Sequence, residues 1–127
     1  MKVLIPVEEC TTKRLSPHFG RAGGFIVMDI RNNDTIMVKC MENPRGHGIP
    51  AGQYFAGLVD AVLLPEQGSI GFKALDFLRR NNVKIFIVGA LNADEAIRKF
   101  LNGEATEYIG QGCRGSGAED CHHYRVN

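Results

Sequence analysis

The sequence predicts an α/β fold: a mixed sheet of five strands with helices on both faces. Three observations predict it. The first half of the chain carries three apolar runs separated by polar segments punctuated with Gly, Pro and Asn. The second half alternates short apolar runs with stretches of helical periodicity. Such alternation implies parallel strands joined by crossover helices.

Each element can be justified in order. Val3-Leu4-Ile5-Pro6-Val7 reads as a buried strand ended by Pro6. Glu8 to Arg21 is polar, contains Pro17 and Gly20, and reads as a loop. Phe25 to Ile30 is a second strand, and Asn32-Asn33-Asp34 has turn chemistry. Thr35 to Met41 alternates, placing Ile36, Val38 and Cys40 on one face and Met37, Lys39 and Met41 on the other. Glu42 to Gly52 is a Gly- and Pro-rich loop, followed by a short helix over Gln53 to Val59 that begins near Pro50. Ala61 to Leu64 is a buried strand closed by Pro65. Ser69 can cap a helix over Ile70 to Arg80, with Ala74, Leu75 and Leu78 on one face. Lys84 to Val88 is the fifth strand. Asn92 and Glu95 form a capping box for a helix over Ala93 to Asn102, which Gly103 stops. Glu104 to Asn127 lacks a sustained pattern, so the chain divides into a domain over 1–103 and a Gly-, Cys- and His-containing tail over 104–127.

Composition narrows the function. At 127 residues the chain has room for one core. A net charge of +1 gives no charge-driven case for nucleic acid or a membrane surface. No apolar run approaches the ~18–20 residues of a spanning helix, and the N-terminal run is too short for a signal peptide. The expected location is the cytoplasm, where cysteines are mostly thiols or metal ligands. Four Cys, four His and 15 Gly are then the unusual features.

Their placement gives them meaning. Ligands in open α/β sheets sit beyond the carboxyl ends of the parallel strands. If strands one, three, four and five point the same way, the loops Glu8–Arg21, Glu42–Gly52, Pro65–Ser69 and Gly89–Asn92 meet at one edge. Cys10, His18 and His47 lie in those loops. Cys10 reads as an ordinary loop thiol that could serve as a ligand, and Cys40 as a core thiol beside Ile36 and Val38. In the tail, Cys113, Cys121, His122 and His123 fall within eleven residues. Thiolate and imidazole suit Fe–S, Zn or Cu, although the spacing of the cysteines is not that of a zinc finger.

Two motifs carry a family resemblance. Leu15-Ser16-Pro17-His18-Phe19-Gly20-Arg21-Ala22 precedes the second strand, and Glu42-Asn43-Pro44 with Gly46-His47-Gly48 follows the third. With the Met1 to Val7 start, the chain over Met1 to Gly103 resembles the dinitrogenase iron–molybdenum cofactor biosynthesis family, the nitrogenase accessory-factor-like domains. The resemblance implies a three-layer ribonuclease-H-like fold. It implies a protein that binds or carries an iron–sulfur or iron–molybdenum cluster, or its precursor, during cofactor assembly. It marks His18, Gly20, Arg21, His47 and Gly48 as cluster-facing, with Arg21 balancing the charge of a sulfide cluster. Pro65 to Gly71 departs from the family's small-residue Gly-Gly-x-Gly-Pro loop, since Pro65, Glu66, Gln67 and Ile70 are bulkier. The tail is not part of the resemblance.

The expected function is therefore a non-enzymatic cluster carrier that meets donor or acceptor proteins; a homodimer sharing ligands between chains fits the same chemistry. Thiolate binding should weaken at low pH. Two other readings are a redox-responsive regulatory domain using Cys113 and Cys121, and a metal-dependent nuclease or hydrolase using Glu8, Glu9 and Glu66. Phosphate-loop, dinucleotide and nucleophile-elbow motifs are absent from the sequence.

Overall fold

A computed structural model describes residues 1–32 and 34–112. The chain forms β1 (Lys2–Val7), β2 (Gly24–Arg31), β3 (Asp34–Glu42), a 3-10 turn (Pro44–His47), α1 (Ala51–Phe55), β4 (Ala61–Pro65), α2 (Phe72–Arg80), β5 (Lys84–Val88), α3 (Ala93–Leu101) and β6 (Thr106–Glu107). These strands make one sheet in the order β3-β2-β1-β4-β5-β6. The α/β class holds, and among the described residues the sheet has six strands where the sequence predicts five.

Helices cover both faces. Leu4, Phe25, Val27, Val62, Leu64, Ile85 and Ile87 pack with Ala51 and Phe55 of α1 and Leu75 and Leu78 of α2. The alternate residues Val3, Ile5, Val7, Ile26, Met28, Ala61, Leu63 and Val88 pack with Ala93, Ala96 and Ile97 of α3. Strands buried on both faces must be apolar throughout, which is why β1, β4 and β5 read as continuous runs. α1 and α2 approach closely because Gly52 has no side chain: a Cβ there would lie 2.6 Å from the Ala74 Cα.

Pairing fixes strand directions. β1 is antiparallel to β2, β2 is antiparallel to β3, and β1, β4 and β5 are mutually parallel. β1, β3, β4 and β5 therefore point one way, as the sequence reading requires. Pro6 does not end β1. It stays in register opposite Phe25, while the ladder to β4 covers only Val3 and Leu4. The missing N–H of Pro6 thus falls where no β4 partner needs it.

The face assignment in β3 needs correction. Met28 pairs with Met37 and Val27 with Lys39, so Val38 is an extra residue in a bulge. The bulge reverses the alternation. Cys40, opposite Ile26, shares its face with Met37, not with Ile36 and Val38. Nor is this edge strand core: Ile36 is 60% and Val38 49% exposed.

Helix ends follow local chemistry with one exception. Asn92 caps α3, accepting from the Glu95 N–H at 2.9 Å, while the Glu95 carboxylate accepts from the Leu91 N–H at 2.7 Å. Gly103 follows α3 with φ +77°. α2 starts two residues later than predicted, with Gly71 as its N-cap, because the Ser69 hydroxyl is engaged elsewhere.

Beyond α3, β6 pairs antiparallel to β5. Arg79 of α2 then donates to the Tyr108 carbonyl at 2.9 Å and the Gly110 carbonyl at 2.6 Å. Gly112, the last described residue, lies against Ile70 and Phe72: a Cβ there would be 2.9 Å from the Ile70 carbonyl oxygen. The chain thus returns to the start of α2 one residue before Cys113. Cys113, Cys121, His122 and His123 lie outside the described residues.

Candidate functional site

The four loops expected at one edge do meet there. Leu15 donates to the Leu91 carbonyl at 2.9 Å, and Arg14 bridges to Asn92. Ser69 donates to the Pro17 carbonyl at 2.6 Å, and Phe19 donates to the Ser69 carbonyl at 3.0 Å. Asn43 donates to the Gly23 carbonyl at 3.4 Å. Backbone hydrogen bonds therefore stitch the β1–β2 loop to each of the other three.

The Ser16-Pro17-His18-Phe19 segment is held by its two ends. Buried Ser16 donates through Oγ to the His18 carbonyl at 3.0 Å and accepts from the His18 N–H at 3.2 Å. Phe19 is 1% exposed and meets Phe25 edge-on, with ring centroids 5.3 Å apart. With Phe19 anchored inward, His18 is left on the surface, its Nδ1 3.1 Å from Ser69 Oγ.

Asn43 organises the second motif. Its Nδ2 donates to the Gly20 carbonyl at 3.1 Å and the Ala22 carbonyl at 2.8 Å. Its Oδ1 accepts from the Arg45 N–H at 2.9 Å, capping the 3-10 turn, and Pro44 occupies the first position of that turn. Gly48 closes the turn at φ +81°, a conformation that favours glycine.

Between these two segments lies a cavity of about 640 Å³ lined by Arg21, Ala22, Gly23, Glu42, Asn43, Arg45 and Gly46. Arg21 and Arg45 are exposed and make no ion pair among the described residues. Two guanidinium groups against one carboxylate leave the cavity with a positive balance suited to an anion. A second cavity of about 550 Å³ lies at the ends of β4 and β5, lined by Pro65, Glu66, Gln67, Gly89, Ala90, Leu91 and Glu95. It carries two carboxylates, with Arg98 3.9 Å from that of Glu95 and Lys99 donating to the Gly89 carbonyl. The edge therefore presents one cationic recess and one whose carboxylates are partly offset by neighbouring cations.

The sequence-derived residues divide accordingly. Arg21 lines the cationic cavity. Gly20 contributes its carbonyl to Asn43 at the rim, and His47 and Gly48 directly follow the lining residue Gly46. His18 is on the same edge but faces Ser69 and is not among the cavity's lining residues. Sequence reasoning missed Arg45 and Asn43. The signal for Asn43 was an Asn directly before Pro, the pattern of a capped turn. Among the described residues, no three His, Cys, Asp or Glu side chains converge to hold a metal ion. Glu8, Glu9 and Glu66 thus form no carboxylate cluster of the nuclease type.

Cys10 and Cys40 require a correction. They form a disulfide, with Cα atoms 5.9 Å apart. Cys40 is a half-buried bridge partner rather than a core thiol, and Cys10 is not a free one. Two glycines let the loop reach across: a Cβ on Gly23 would collide with the Glu8 carbonyl oxygen, and one on Gly24 would lie 3.4 Å from Cys10 Sγ. Cys10 thus crosses over the start of β2 to bond the edge strand.

Comparison with known proteins adds the following. A family model described as dinitrogenase iron-molybdenum cofactor matches residues 1–103. An uncharacterized protein of Methanocaldococcus jannaschii is 27% identical over 115 residues, covering 85% of this chain and 92% of that protein. The apo form of the orange protein from Desulfovibrio gigas superposes with a TM-score of 0.69 at 22% identity, covering 89% of this chain and 96% of that one. A candidate dinitrogenase from M. jannaschii superposes with a TM-score of 0.70 at 18% identity, covering 87% and 96%. At these identities the structural matches speak for the fold.

Proposed function

The chain belongs to the dinitrogenase iron–molybdenum cofactor family, and from that premise we propose that it is a carrier for an anionic metal–sulfur cluster, or a precursor of one, in cofactor assembly. The observation that carries this reading is the pair Arg21 and Arg45, two exposed guanidinium groups that make no ion pair among the described residues, on one cavity of about 640 Å³. An iron–sulfur or iron–molybdenum–sulfur cluster is a bulky anion. Guanidinium groups donate in a fixed fork and stay charged at any working pH, so they hold such a cargo without chemistry. His18 and His47 on the same edge are candidate imidazole ligands, and Cys113, Cys121, His122 and His123 candidate soft ligands from the tail. Gly20 and Gly48 leave the approach open. The function needs no catalytic residue. It needs donor and acceptor proteins, which would reach the cargo from the loop edge. We place that exchange in the cytoplasm as part of the same proposal; no helix among the described residues is long and apolar enough to cross a membrane.

Anaerobic reconstitution with iron and sulfide, with and without molybdate, tests this reading. The wild-type chain is expected to gain a visible chromophore and bound metal. Arg21→Ala combined with Arg45→Ala is expected to retain several-fold less after gel filtration with an unchanged circular dichroism spectrum. A wild-type chain that stays colourless and metal-free under all these conditions overturns the proposal.

A further inference from the structure

The cysteine pair next to the segments that line the cationic cavity is the feature that the carrier reading leaves unused. Cys40 lies two residues before Glu42, which lines that cavity, and Cys10 rests on Gly24, next to the lining residue Gly23. Both cysteines are half-buried, so reagents reach them. We propose that Cys10 and Cys40, once reduced, form a two-thiolate site for one soft divalent metal ion beside the start of β2, next to the segment that lines the cationic cavity, and that the disulfide is the closed form of this site. The inference deepens the proposed function, on which it rests for the identity of the cargo.

The chemistry balances in two steps. A dithiol reductant opens the disulfide by thiol–disulfide exchange, leaving two Cys thiols and the reductant's own disulfide. The metal ion then displaces one proton from each thiol and gains two sulfur ligands. Zinc-like metal–sulfur bonds of about 2.3 Å hold two sulfurs about 3.8 Å apart in tetrahedral geometry. Cα atoms separated by 5.9 Å in the disulfide reach that spacing by side-chain rotation, with the strand and loop left in place. The site would bind a soft metal and exclude magnesium or calcium, because thiolate is a poor ligand for hard cations. Remaining positions on the metal would be open to the sulfide of a cargo.

Cadmium(II) is the probe. The reduced, phosphine-treated full chain is alkylated under argon with and without one equivalent of cadmium, and the four cysteines are read separately by mass spectrometry. Cadmium is expected to slow alkylation of Cys10 and Cys40 at least tenfold, with no such ion taken up by the oxidised chain at these residues. In the Cys113→Ser/Cys121→Ser background, the reduced chain is expected to show an ultraviolet thiolate-to-cadmium band that Cys10→Ser and Cys40→Ser each abolish. Equal alkylation rates at Cys10 and Cys40 with and without cadmium overturn the inference, as does a band that survives both serine substitutions. If the serine variants fail to fold by circular dichroism, the alkylation measurement on the unsubstituted chain decides. A reconstituted chromophore without cadmium protection refutes this site and leaves the carrier reading standing; protection in a chain that never takes up cluster does the reverse.

Discussion

Asn43 donates to two carbonyls of the β1–β2 loop and accepts at the cap of the following turn, so a single side chain fixes the distance between Arg21 and Arg45. Replacing it by alanine removes the cap of the turn and takes a donor from two carbonyls. Asn43→Ala is expected to cost about 1–3 kcal/mol in urea unfolding, from the lost cap and hydrogen bonds. It is also expected to lower cluster retention, because the two guanidinium groups lose their common frame. Stability unchanged from wild type would show that the backbone contacts alone hold the loops. At this scale the sequence is informative about which loops meet at one edge and less so about which side chains line it. The His18-Phe19 motif lies on the edge where the four loops meet, yet its buried member is Phe19, and His18 turns toward Ser69. The Ser69 cap for α2 was chemically sound, but a hydroxyl close to an imidazole from 51 residues away leaves the cap to Gly71. Local propensity cannot foresee a partner that distant.

Element by element, legibility followed burial. β1, β4 and β5 are covered on both faces, so their apolar runs announce them. β3 lies at the sheet edge, and one bulged residue is enough to reverse which side chains face the core. β6 is two residues held by pairing with β5 and by Arg79, signals that exist only in the folded chain. The Cys10–Cys40 bond belongs to the same class: it needs the loop to cross Gly23 and Gly24, which the cysteine spacing does not reveal. Its effect on stability follows from chain entropy. With the cysteines 30 positions apart in sequence, cross-linking is expected to stabilise the fold by roughly 3–4 kcal/mol. Chemical denaturation of the oxidised and reduced chains should therefore differ by that amount, with the Cys10→Ser/Cys40→Ser chain matching the reduced form. Identical midpoints for the oxidised and reduced chains would mean that residual structure in the unfolded state already brings the two segments together.

For the whole molecule, charge distribution matters more than net charge. A total of +1 gave no steer toward a partner, but the fold sorts the charges along one edge. Arg21 and Arg45 face one recess; Glu66 and Glu95 line the other. An anionic cargo is attracted to the first and not to the second, so the edge has an orientation that composition conceals. Both arginines are exposed, and attraction between solvent-exposed charges is screened over ~10 Å at 0.1 M salt and ~3 Å at 1 M. Retention of a reconstituted cluster is therefore expected to fall several-fold as salt rises from about 0.1 M to about 1 M, measured as bound metal after desalting. The Arg21→Ala/Arg45→Ala chain should start low and vary little with salt, because its screened attraction is already gone. Glu66→Gln should keep the wild-type dependence, since that carboxylate lines the other recess. Salt-independent retention in the wild-type chain would instead assign the hold to direct ligand bonds from sulfur or imidazole, with the arginines serving only to guide the cargo in.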